Sequence, residues 1–192
     1  MPFLAQTSPR QLVPFLFLPA GLGLITQAIT TPYVAQKILA IALFLFCPEL
    51  ARMAWVDLQN IDAVAAVIPK DPKDSFITEA LTPFHRVVVS TIVLELFGFY
   101  LAQPFLVIGA IIIIFSQLWF NLLAGIQLCP EAAIPVVPLG MSDRKAVLIA
   151  NAIALSLLCC WPIESVRPAL ATGLLILITL FLLIKYGLSK TA

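Results

Sequence analysis

Residues 87–128 read VVVSTIVLELFGFYLAQPFLVIGAIIIIFSQLWFNLLAGIQL, and this apolar stretch decides the fold. Its 42 residues include no Lys or Arg, and Glu95 is the only acidic residue among them. A single helix of that length would be about 63 Å long, about twice the ~30 Å hydrocarbon core of a bilayer. Pro104 lies near the centre and disfavours helical backbone at the preceding residue, Gln103. The stretch therefore predicts two membrane-spanning helices joined as a hairpin.

The composition of the whole chain agrees with a membrane protein. Of its 192 residues, 61% are hydrophobic and only 11% are charged, whereas soluble domains carry about 25% charged residues. The mean hydropathy is +1.06. No polar linker separates the apolar blocks, so residues 1–192 are predicted to form one domain. We expect an all-α fold, a polytopic transmembrane helical bundle, in a bacterial inner membrane or one of thylakoid or organellar type.

Four further apolar segments extend the bundle to six predicted spans: residues 11–29, 33–47, 146–161 and 169–187. The first contains Pro14 and Pro19, so a re-entrant element and a total of five spans is the alternative. Thr82-Pro83 is predicted to cap and start the third helix, and Ser142-Asp143 to cap the fifth.

The distribution of positive charge favours six spans. With six, nine of the eleven Lys and Arg residues lie on one side of the membrane, and with five the split is eight to three. Positively charged loops face the cytoplasm. Both termini and the connection over residues 48–86 are therefore predicted on the cytoplasmic or equivalent side.

The 48–86 connection contains a stripe of apolar residues at helical spacing, opposite a polar arc. The members of the stripe are Leu50, Ala54, Leu58, Ile61, Ala65 and Ile68. This pattern predicts an amphipathic surface helix, lying on the membrane or on a neighbouring subunit. The next connection, residues 129–143, contains three prolines and is predicted to be extended.

One intramembrane polar site is predicted. Glu95 falls near the middle of its helix, where a carboxylate costs about 2.5–3.5 kcal/mol or more. Ser116, Gln117 and Asn121 lie at comparable depth on the adjacent helix. The site could bind a proton or cation, or hydrogen-bond a cofactor. The favoured interpretation is a neutral carboxyl group that locks the helices together.

Two other features complete the predicted sites. His85, the only histidine, could ligate haem iron or chlorophyll magnesium, although most lone interfacial histidines ligate nothing. Ala146, Ala150 and Ala154 form a stripe of small residues that lets another helix approach closely. No spacing of His and Cys fits a metal site. No cofactor is predicted, although a bound lipid is expected.

These observations favour a non-catalytic accessory, scaffolding or assembly subunit of a larger membrane complex, for example an energy-transducing one. Its partners would be other membrane subunits and the bilayer. No catalytic motif is present, so an enzyme is not predicted. The net charge of +1 disfavours a nucleic-acid partner. The alternatives are a small transporter or channel that uses Glu95, and a pigment-, quinone- or haem-binding protein.

Overall fold

The computed structural model describes residues 9–67, 75–132 and 134–188. Within them the chain forms six α-helices, two short strands and a 3₁₀ turn over Glu164–Val166. Ile68 of the predicted apolar stripe lies outside the described residues, as do three of the lysines counted in the charge distribution, Lys70, Lys73 and Lys190. The helices are α1 Pro9–Thr30, α2 Val34–Val67, α3 Ser75–Ala102, α4 Leu106–Leu123, α5 Lys145–Cys159 and α6 Arg167–Leu188.

Five of these helices, α1, α2, α3, α4 and α6, are long and apolar enough to cross a membrane. The fold is therefore consistent with the predicted helical membrane bundle. Helix α5 is apolar but has only 15 residues. The fold is also not wholly helical, because β1 (Ile126–Leu128) and β2 (Val136–Pro138) pair as antiparallel strands within the connection between α4 and α5.

The predicted hairpin is confirmed by helices α3 and α4, which are separated only by residues 103–105 around Pro104. Two glycines allow the helices to approach closely. A Cβ atom on Gly109 would collide with the backbone of Ala102 and Gly98, and one on Gly98 would lie 2.7 Å from the side chain of Ile113. The hairpin therefore depends on backbone contact between α3 and α4.

Helix α1 is continuous through Pro14 and Pro19, so its prolines do not break it into a re-entrant element. Proline is tolerated inside membrane helices when neighbouring structure satisfies the freed backbone groups. Phe17, fully buried, packs edge-to-face against Phe99 of α3 with ring centroids 5.8 Å apart.

Helix α2 corrects the prediction of a separate surface helix. Residues 50–67 continue the same helix that begins at Val34, and Pro48 lies inside it. The apolar stripe of residues 50–67 continues the buried face of the first half of α2. One face of the whole helix therefore packs against the protein core. Its buried members are Leu39, Leu43, Phe46, Leu50, Ala54, Leu58, Ile61 and Val64, whereas Ala65 is exposed.

The two predicted helix caps are also wrong. Helix α3 already includes Ser75, so Thr82 and Pro83 lie within it. Helix α5 begins at Lys145 after Arg144, and no side chain caps it. Asp143 instead accepts a hydrogen bond from the backbone N–H of Gly140, with 2.9 Å between Oδ2 and N, and so stabilises the preceding turn.

Helix α2 packs against α1, α3, α4 and α6, which makes it the centre of the bundle. Phe46 contacts Phe181 of α6 edge-to-face, with 6.1 Å between ring centroids. Helix α5 packs mainly on α4 and less closely on α6. The looser α5–α6 pairing leaves an open groove, described below.

Candidate functional site

The predicted polar site contains a direct contact between the two helices of the hairpin. Glu95 of α3 and Gln117 of α4 are both buried, with exposed fractions of 3% and 5%. The Gln117 amide donates a hydrogen bond to Glu95, with 2.6 Å between Nε2 and Oε1. The close packing of the hairpin brings these two side chains together at the same depth.

The other two residues predicted for this site bond to their own helix. The Ser116 hydroxyl donates to the carbonyl of Ile113 at 2.7 Å, and the Asn121 amide donates to the carbonyl of Gln117 at 2.8 Å. Both side chains are buried. They complete a polar stretch of α4, but neither contacts the Glu95 carboxyl group through a described hydrogen bond.

A small cavity adjoins Glu95 and brings in a residue that the sequence analysis did not assign to the site. Asp57 of α2 lines this cavity together with Thr91, Glu95 and Gln117. Asp57 was placed in a surface connection, so its proximity to Glu95 was missed. Its position in the sequence could have indicated this proximity, because Asp57 lies three residues after Ala54 and four before Ile61, at the edge of the apolar stripe.

A second polar cluster, also missed, joins α2 to the end of α6. Glu49 is buried, and its carboxylate accepts hydrogen bonds from Arg52 at 2.9 and 3.1 Å. Lys185 pairs with the same carboxylate at 2.5 Å, and the Tyr186 hydroxyl donates to it. The Arg52 guanidinium also lies 5.7 Å from the centroid of the Tyr186 ring. One buried acid thus holds three partners from two helices.

An apolar groove of about 760 Å³ lies between α2, α4, α5 and α6; we call it the α5–α6 groove. Ala146 and Ala150 of the predicted small-residue stripe line it, as does Gly173 from α6, whereas Ala154 is buried in the core. Asn151 also lines it, and the Asn151 amide nitrogen has no hydrogen-bond partner within the described residues. The groove therefore combines small residues, apolar walls and a free amide donor.

His85 lies on the exposed surface of α3 and lines neither the cavity nor the groove. Among the described residues, no three His, Cys, Asp or Glu side chains are grouped closely enough to hold a metal ion. A cofactor ligated by His85 would therefore have to bind at the outer surface of the helix.

Comparisons with family models, with curated proteins and with solved structures found no match to the chain.

Proposed function

We propose that this chain is a non-catalytic subunit of a larger membrane complex, and that the α5–α6 groove binds a transmembrane helix of another subunit. The observation that carries the proposal is the groove itself. Helices in lipid associate through close packing at small residues and through hydrogen bonds between polar side chains. Ala146, Ala150 and Gly173 supply the small residues, and Asn151 supplies an amide donor.

The proposal takes all six helices as membrane crossings, with both termini on the cytoplasmic or equivalent side. One ion pair supports this alternation, because Arg10 at the start of α1 lies 3.9 Å from Asp62 near the end of α2. Helix α5, about 22 Å long at 1.5 Å per residue, would cross where the bilayer is locally thinned.

The experiment places a bulky side chain in the α5–α6 groove and measures whether the chain still assembles into a larger complex. Ala150→Leu adds a bulky side chain to the groove wall, whereas Ala152→Leu adds the same side chain at an exposed position of α5 outside the groove. Native membranes are extracted with mild detergent and separated on native gels. We expect wild type and Ala152→Leu to migrate in a complex larger than the chain alone, and Ala150→Leu to migrate as the free chain.

Two results would contradict the proposal. One is a wild-type chain that migrates alone, and the other is an Ala150→Leu variant that stays in the complex. Co-purification of two differently tagged copies, with no other protein, would make the occupant a second copy of this chain and would refute a heteromeric complex.

A further inference from the structure

The small cavity beside Glu95 has the size and lining of a site for one water molecule. The space open to the centre of a water molecule is about 10 Å³, which is about what one bound water needs. Buried waters are held by two to four polar partners. Asp57, Thr91, Glu95 and Gln117 provide polar groups from three helices, and the remaining lining is apolar.

Within the part of the chain that the structure describes, the hydrogen bonds of Glu95 leave one carboxyl oxygen without a partner. Oε1 accepts from Gln117, whereas Oε2 is buried and has no hydrogen-bond partner within the described residues. A carboxylate with a single hydrogen bond in an apolar interior is expensive. A neutral carboxyl group fits better, because Oε1 then accepts from Gln117 and the hydroxyl on Oε2 donates to a water in the cavity.

Asp57 is the second carboxyl group on this cavity, and it comes from a different helix. Two carboxylates that share one site resist ionising together, so such a pair retains a proton that a lone carboxylate would lose. Other titratable groups also face the two carboxyl groups. Arg52 and Lys185 interact electrostatically with Asp57, and the Cys47 thiol interacts electrostatically with Glu95. From α4, the cavity is lined by Gln117 and Phe120, neither of which is charged.

We propose that this cavity is a proton-binding site, in which one water molecule connects Glu95 to Asp57 and the two carboxyl groups hold one proton between them. Transfer moves a proton from Oε2 of Glu95 to the water while the water gives another proton to Asp57, so the site gains and loses no charge. Asp57 is only partly buried and is the group through which the proton exchanges with solvent. This site goes beyond the proposed function and does not depend on the α5–α6 groove.

Infrared spectroscopy of the full chain, extracted in mild detergent with any partner it retains, tests the proposal. The carbonyl stretch of a protonated carboxyl group should be present at neutral pH in the wild type. Glu95→Gln keeps the size and the hydrogen bonds of the side chain but should remove this band. In Asp57→Asn the band should still be present at low pH. As the pH is raised, the band should disappear about one pH unit or more below the pH at which the wild-type band disappears, because the neighbouring negative charge is gone.

Asp62→Asn removes an exposed carboxylate from the same helix, where Asp62 pairs with Arg10 at 3.9 Å, and should leave the band and its pH dependence unchanged. A wild-type spectrum without the band at neutral pH would overturn the proposal, as would a band that persists in Glu95→Gln. An Asp57→Asn variant that titrates like the wild type would show that the two carboxyl groups do not share a proton.

Discussion

Gln117 and Glu95 form a buried polar contact between α3 and α4. Hydrogen bonds between membrane helices contribute about 0.6 kcal/mol on average and about 1.7 kcal/mol at most. The pair therefore contributes little to the stability of the protein compared with the apolar and glycine contacts between the two helices.

Gln117→Leu should lower the free energy of unfolding by about 0.6–1.7 kcal/mol, because Glu95 would lose its donor. Unfolding in mixed detergents, followed by circular dichroism, measures this change. Thr179→Val is the matched control, since the Thr179 hydroxyl donates to the carbonyl of Leu175 in its own helix. Equal losses in the two variants would contradict a stabilising contact between helices.

The structure brings two of the four residues predicted for the polar site, Glu95 and Gln117, into direct contact. Glu95 and Gln117 stood out because a polar residue within a long apolar run has to find a partner in the membrane. Asp57 and Glu49 did not, since their stretch of chain contains enough charge to resemble a surface connection. Their role depends on contacts with α3 and α6, which are distant in sequence and leave no local pattern.

At the scale of elements, the turn at Pro104 was predictable and the length of α2 was not. Pro104 interrupts a stretch too long for one span, so the length of the stretch and the position of the proline both predict a turn there. Pro48 lies inside a helix that continues, and proline alone does not distinguish these outcomes. The deciding feature is the phase of the apolar stripe, which runs unbroken from Leu39 to Val64.

Gly109→Ala should destabilise the protein by about 1–3 kcal/mol, the usual range for overpacking, because the new methyl group would meet the backbone of α3. Thermal unfolding of the purified protein in detergent measures the loss. Gly125→Ala is the control, since no atom of the described residues lies within 4 Å of a Cβ atom there. A Gly109→Ala protein as stable as Gly125→Ala would show that α3 and α4 are less closely packed than described.

At the scale of the whole molecule, α5 decides the topology. If this 15-residue helix crosses the membrane, six spans result; if it lies at the surface, five spans result. Composition alone does not separate these cases, because the segment is apolar either way. The structure adds that α5 packs beside α4 and α6, two helices long enough to span.

Single cysteines introduced at Gly140 and Ile163, on either side of α5, test the six-span arrangement after the four native cysteines are replaced. We expect a membrane-impermeant reagent to label Asp62→Cys and Gly140→Cys from one side, and Gln103→Cys and Ile163→Cys from the other. All four positions are exposed. Labelling of positions 140 and 163 from the same side would leave five spans.

Photo-crosslinking in native membranes tests directly whether the α5–α6 groove binds a helix of another membrane protein. A photoreactive amino acid replaces Ile176, an exposed residue of the groove, or Val93, an equally exposed residue of α3 outside it. We predict that position 176 crosslinks to a peptide from an apolar membrane-spanning segment of a different protein, that Ala150→Leu abolishes this adduct, and that position 93 gives none. Adducts with lipid alone, or the same protein adduct at both positions, would contradict the binding of a partner helix in the groove.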